Sequence, residues 1–207
     1  MNCKTQEIIE LLFKENPLKD NSFIQIEESN EYEIIYDSDL NGFDKQLLHE
    51  ILMNKSEIIF LIQTDSNELF GVHFFQTITK YERYIYDKDM YFFHLIHNNQ
   101  YQPNIYYPNE MNPLTGIILS QHSSELISFG MNDFESDINY CVLYAPVQSN
   151  QFNNQLNSFN QFQFRKRKQI TQQSKFHLFD DFFQIDSNTF DSELHFILER
   201  LMIVHIN

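Results

Sequence analysis

The sequence predicts an α+β fold made mostly of antiparallel strands with short helices at its flanks. Three observations carry that expectation. The stretch 57–75, EIIFLIQTDSNELFGVHFF, holds two apolar runs separated by Thr64-Asp65-Ser66-Asn67, the pattern of two strands joined by a hairpin loop. Around it lies a train of short runs rich in β-branched and aromatic residues, each bounded by a polar cluster. Only two stretches place apolar residues at helical spacing. Ile58, Ile59, Phe60, Leu61 and Ile62 leave no polar face, so the first strand of the hairpin should be covered on both sides and form the centre of the core.

Taken in order, Thr5 is placed to cap a helix over 6–14 that carries Ile8, Ile9 and Leu12 on one face, and Asn16-Pro17 ends it. A polar connection over 18–30 contains a candidate strand at 23–26. A short strand over 33–36 runs into the turn Asp37-Ser38-Asp39-Leu40-Asn41-Gly42. Over 43–53, Phe43, Leu47, Leu48, Ile51 and Leu52 stand at spacings of 4, 1, 3 and 1, an amphipathic helix. After the hairpin come a strand over 91–97, a turn starting at Asn98-Asn99, and a strand over 105–107. A second hairpin, 116–120 with 126–129, turns around His122-Ser123-Ser124-Glu125. Strands over 138–144 and 198–206 complete the pattern, and a terminal strand as apolar as the last is usually tied into a sheet.

At 207 residues, 42% hydrophobic and 15% aromatic, the chain can bury a core without disulfides or a structural metal. Four glycines, at 42, 71, 116 and 130, stand too far apart for a phosphate-cradling loop. A net charge of −15 argues against nucleic acid as a partner. Two cysteines, Cys3 and Cys141, give no disulfide framework, and a reducing cytoplasm fits them. The first residues include Glu7 and Glu10 and do not read as a signal peptide, and no apolar run approaches a membrane span.

Residues 148–174 differ in texture: an Asn/Gln-rich stretch with scattered Phe precedes Arg165, Lys166, Arg167 and Lys168. The segment should lack a regular period and act as an insertion. The cations between 147 and 175 number five with no acid, leaving −20 on the remainder. The four consecutive cations are a candidate contact for an anionic membrane.

The order of these features resembles the TLDc family of oxidation-resistance proteins. Ile34-Ile35-Tyr36-Asp37-Ser38 followed by Asn41-Gly42-Phe43 and Leu47-Leu48 resembles its opening strand, turn and first helix. Phe70-Gly71 resembles the end of its first hairpin. Tyr91-Phe92-Phe93-His94-Leu95-Ile96 resembles its FLFSL strand, with His94 in place of Ser. Ser128-Phe129-Gly130 resembles its second FG-terminated strand, and the run at 199–204 its closing strand. On that pattern Gly42, Phe43, Phe70, Gly71, Phe93, Leu95, Phe129 and Gly130 are the family-signature residues, structural in role. The family's further glycines after the second FG are replaced by Met131-Asn132-Asp133, and its later Phe-Gly-Asn segment has only Phe179-Asp180-Asp181-Phe182 as a counterpart. The resemblance implies that the strands form two mostly antiparallel sheets in a sandwich, with residues 1–30 a helix and connection and 31–207 the domain proper.

Chemical motifs are sparse. Asp37-x-Asp39-x-Asn41-Gly42 imitates the start of a calcium loop, but its twelfth position is Leu48 rather than a bidentate Glu, so a turn is expected. His94 and His97 are separated by an odd number in a strand, which should aim them at opposite faces and preclude a shared metal. Asp87, Asp89, Asp180 and Asp181 read as solvated loop acids. Glycines after Phe within strands read as bulges or close backbone approaches. No catalytic residue, metal or cofactor is expected. The resemblance implies a non-enzymatic interaction and regulatory module, in oxidative-stress protection or in regulation of the vacuolar proton-pumping ATPase, cytoplasmic and peripheral to endolysosomal membranes. The alternatives are an uncharacterised hydrolase or redox enzyme, or a peripheral membrane-binding protein.

Overall fold

In a computed structural model, the structure describes residues 3–13, 31–65, 67–97, 99–106, 115–122, 125–133, 136–144, 162–163, 195–196 and 198–207. Three helices are described: α1 (Cys3–Phe13), α2 (Ser38–Asn41) and α3 (Lys45–Leu52). The strands of the first sheet are β1 (Tyr32–Asp37), β2 (Ile58–Thr64), β3 (Leu69–Phe74), β5 (Tyr91–His97), β6 (Gln100–Tyr106) and β12 (Leu198–Ile206). The second sheet holds β4 (Ile85–Tyr86), β7 (Thr115–Ile118), β8 (Glu125–Asp133), β9 (Ser136–Tyr144), β10 (Phe162–Gln163) and β11 (His195–Phe196). The orders are β1-β12-β2-β3-β5-β6 and β11-β10-β9-β8-β7-β4, and every pairing is antiparallel. The fold is an α+β sandwich of two mostly antiparallel sheets with short helices.

The uninterrupted run 58–62 is central for the reason its pattern gives. Ile58, Phe60 and Ile62 join the cluster between the sheets, with Phe129, Ile117, Leu126 and Leu143 from the second sheet. Ile59 and Leu61 join a separate cluster on the outer face, covered by Ile8, Ile9 and Leu12 of α1. One strand thus serves two cores, and period-two alternation sorts its side chains between them. Phe60 meets Phe129 edge-on across the sandwich, ring centroids 5.1 Å apart. The closing strand β12 lies between β1 and β2. Pro103, which cannot donate to a ladder, falls in β6 at the sheet's edge.

The helices start a little differently from expectation. α1 begins at Cys3, so Thr5 lies inside it rather than capping it, and its hydroxyl is buried. The expected turn after β1 closes into α2, with the Asp37 side chain accepting from the Asp39 amide and Gly42 ending it at φ 66°. Asp44 caps α3 by accepting from Leu47 N–H at 3.0 Å. α3 is fastened to the second sheet by His49, whose Nε2 lies 2.8 Å from the Leu126 carbonyl oxygen. The candidate strand at 23–26, the basic run Arg165–Lys168 and the Asp180-Asp181 pair lie outside the described residues. Within 148–174, where no regular period was expected, Phe162–Gln163 forms a strand that bridges β9 and β11. The backbone pairing there needs no periodic sequence, only two residues in register.

Candidate functional site

Two polar clusters, each built around a buried side chain, form at the end of the first sheet where β2 turns into β3. The first is centred on Arg200 of β12. Its Nη2 donates to Asp37 Oδ2 at 2.6 Å and its Nε to Asp37 Oδ1 at 3.0 Å, a two-pronged pair. Asp39 Oδ2 approaches Nε at 3.2 Å, and the Thr5 hydroxyl accepts from Nη2 at 2.5 Å. Ser38 Oγ receives the Leu201 amide. Burial opposes the guanidinium charge, yet the hydrogen bond and charge of Asp37, with Asp39 behind it, raise its pKa. Two of the three side chains that imitate a calcium loop, Asp37 and Asp39, therefore face a side-chain cation, while Asn41 Oδ1 accepts from the Asp37 amide at 3.0 Å. The turn expected over 37–42 closes as the short helix α2, and Arg200 is the residue its sequence could not reveal. Tyr36 completes the turn by donating to the Gly42 carbonyl oxygen, and burial, with Asp44 and Asp37 adding, holds its hydroxyl up at about 12.

The second cluster overturns an expectation. His94 and His97 do not point to opposite faces. Glu68 Oε2 lies 3.0 Å from His94 Nε2 and 3.0 Å from His97 Nδ1, and one ligand atom from each of the three residues falls within 4.8 Å of the others. The cause is a bulge. Along β3, Leu69 and Phe70 are consecutive, but their partners on β5 are Ile96 and His94, so Leu95 is an extra residue. Leu95 and Ile96 consequently pack on the same outer-face cluster. Alternation resumes at His97, which returns to the side of His94. Glu68 is set by the hairpin: its amide donates to Thr64 Oγ1 at 3.2 Å and its carbonyl accepts from Thr64 N–H at 3.0 Å, with Asn67 left-handed at φ 61°. Phe70 lies edge-on to His94, centroids 6.1 Å apart.

Other buried ionisable groups hold the fold. Asp87 is fully buried rather than solvated. Its Oδ2 accepts from Phe75 N–H at 2.5 Å and its Oδ1 from Asp89 N–H at 3.0 Å, while burial raises its pKa despite those bonds. Asp89, by contrast, is about half exposed beside Lys88. His73 stacks on Phe75 with centroids 4.0 Å apart, and its Nδ1 lies 2.8 Å from the Tyr91 hydroxyl. Burial lowers its pKa to about 4, so at neutral pH it is uncharged and its 3.6 Å approach to Glu57 is no ion pair.

The family-signature residues occupy core and turn positions. Phe70 and Phe129 lie between the sheets, with Phe43 packed against that core, while Phe93 and Leu95 lie on the outer face. A Cβ on Gly71 would overlap the Phe60 carbonyl oxygen and the Phe93 ring, which is the close approach expected of it. The Gly130 carbonyl accepts from Tyr84 Oη at 2.6 Å. Phe70 packs on His94 and Gly42 accepts from Tyr36, but none of the eight supplies a polar side chain to either cluster. No helix among the described residues is long and apolar enough to cross a membrane.

No curated protein matches the sequence. The sequence profile of the TLDc domain matches residues 2–186, a span that takes in every described element from α1 to β10 and stops short of β12. With that span matched and the two-sheet sandwich its resemblance implied, the chain belongs to the TLDc domain family.

Proposed function

We propose that this protein is a non-enzymatic interaction and regulatory module of TLDc type, acting in protection from oxidative stress or on the vacuolar proton-pumping ATPase. The TLDc match over residues 2–186 is the observation that carries the reading. The use of the buried polar groups supports it. Arg200 is taken up by Asp37, Asp87 by the backbone of the 75–89 loop, and His49 by the Leu126 carbonyl, so these groups are committed to holding the fold. A binding module needs a rigid surface, and a sandwich with both faces of one sheet covered supplies it.

The test is to add the purified full chain to sealed vesicles carrying the vacuolar pump. Cosedimentation with the vesicles and a dose-dependent change in ATP-driven acidification are the expected results. Vesicles that neither retain the protein nor change their acidification rate would dismiss the pump as its partner. The redox-enzyme alternative is tested separately in peroxide-stressed cells. Replacing Cys3 with Ser and Cys141 with Ala should leave protection intact, because a thiol enzyme needs its reactive cysteine and a docking module does not. Loss of protection in a variant that still folds would favour the enzyme.

A further inference from the structure

Three side chains of the hairpin-end cluster have the chemistry and convergence of a metal site. We propose that Glu68, His94 and His97 bind a divalent transition-metal ion, zinc by preference, through one carboxylate oxygen and two imidazole nitrogens. Each contributes a donor that zinc accepts, and a His/His/carboxylate set is one of the recurring three-ligand arrangements for that ion. Calcium and magnesium prefer oxygen-only surroundings, which two imidazoles deny them.

The geometry is close to what the ion needs. In a tetrahedral site with bonds of about 2.0–2.1 Å, neighbouring ligand atoms stand roughly 3.3 Å apart. Here the carboxylate oxygen is 3.0 Å from each imidazole nitrogen. All three ligand atoms lie within 4.8 Å of one another, so closing on an ion requires a modest approach of the two rings. His97 can supply that movement, since it is the last residue of β5. The other two ligands are held more firmly. His94 is buried against Phe70, and Glu68 is pinned through its own backbone to Thr64. The bulge at Leu95 is the device that brings both imidazoles to one side, and bulges commonly re-aim side chains in this way.

Exposure is graded across the site. The His94 side chain is 3% exposed, whereas Glu68 and His97 are 14% and 15% exposed, so the cluster opens to solvent on the side of those two. An ion could enter there, and its fourth position is left to water. Charge also favours occupancy. Two neutral imidazoles and one carboxylate leave a bound divalent ion with a residual single positive charge, on a protein whose net charge is −15. The site is separate from the Arg200 cluster, which lies on the other face of the sheet, and it is independent of any partner proposed above.

The experiment uses the full chain, stripped with a chelator and dialysed, and titrates zinc by calorimetry. Cobalt is the spectroscopic probe. The wild type should take up one saturable equivalent of zinc. With cobalt it should show the visible bands of a four-coordinate nitrogen and oxygen site, with no thiolate charge-transfer band. His97→Gln and Glu68→Gln should each weaken binding by at least about tenfold, since even outer partners of metal ligands are worth 10- to 100-fold. His122→Gln, at an exposed histidine elsewhere, should bind as the wild type does. Should either ligand variant fail to fold, the wild type still decides the matter through imidazole nitrogen NMR. Zinc should then move Nε2 of His94 and Nδ1 of His97. An absence of saturable zinc binding, binding that survives both ligand substitutions, or zinc shifts confined to other histidines would overturn the proposal.

Discussion

The Arg200 and Glu68 clusters sit at the same end of the first sheet but on opposite faces, and they handle burial in opposite ways. Register places them level: Arg200 is opposite Gln63, Gln63 opposite Leu69, and Leu69 opposite Ile96. Each stands beside an irregularity in its strand, at Leu198/Arg200 and at Leu69/Phe70. The Arg200 cluster lies under α1 and carries its own permanent positive charge, fixed by a two-pronged carboxylate. The Glu68 cluster has one carboxylate shared by two imidazoles in place of a permanent cation. A permanent buried charge must keep its partner.

Removing the carboxylate from each cluster should show that difference most strongly. Asp37→Ala takes the two-pronged partner from the buried Arg200 guanidinium, leaving only the half-exposed Asp39 beside it, and should cost about 3–5 kcal/mol. Replacing both partners, with Asp37→Leu and Arg200→Met, should recover much of that loss, because two desolvated charges disappear together. Glu68→Ala should cost only about 1 kcal/mol in metal-free protein, the usual size of a lost hydrogen-bond partner. Urea unfolding measures all three, and equal losses for the two carboxylates would erase the distinction.

A lone buried imidazole sharpens the same contrast through pH. His73 has its folded-state pKa lowered from 6.5 to about 4 by burial. As pH falls through 6.5, the unfolded chain gains a proton that the folded protein refuses, so stability declines until about pH 4, where both states are protonated. The full loss is about 3 kcal/mol, from 1.36 kcal/mol for each unit of difference. His49, also lowered by burial, acts in the same direction. Asp87 opposes both at the acid end, because its raised folded-state pKa favours the folded protein at low pH. Unfolding curves across this range should flatten in His73→Phe. A wild-type stability that does not fall between pH 6.5 and 4 would contradict the buried neutral state.

The smallest effect is expected for removal of 148–174. Among the described residues neither cluster draws on that segment, whose described part, Phe162–Gln163, pairs with β9 and β11. Its deletion should move stability by about 1 kcal/mol or less, in keeping with the weak dependence on loop length. Flotation on anionic liposomes tests its cations at the same time. Binding that is lost on deletion would support the Arg165–Lys168 contact, and binding that is absent in the intact chain or unaffected by deletion would end it.

Local pattern determined much of this protein. The run 58–62 dictated a strand covered on both faces because no residue in it tolerates water, and the boundaries of β5 and β12 follow from apolar runs closed by polar residues. The helical spacing over 43–53 likewise fixed α3, whose Leu48 and Leu52 enter the inter-sheet core. What tertiary structure alone decided is which distant groups meet. Arg200 reaches Asp37 across 163 residues of chain, and no local period records that contact. Asp87 read as a solvated acid because burial depends on what folds over it. Alternation puts His94 and His97 on opposite faces only if the ladder is unbroken. One extra residue, Leu95, breaks it, and a bulge is set by how two strands pair rather than by the sequence of either.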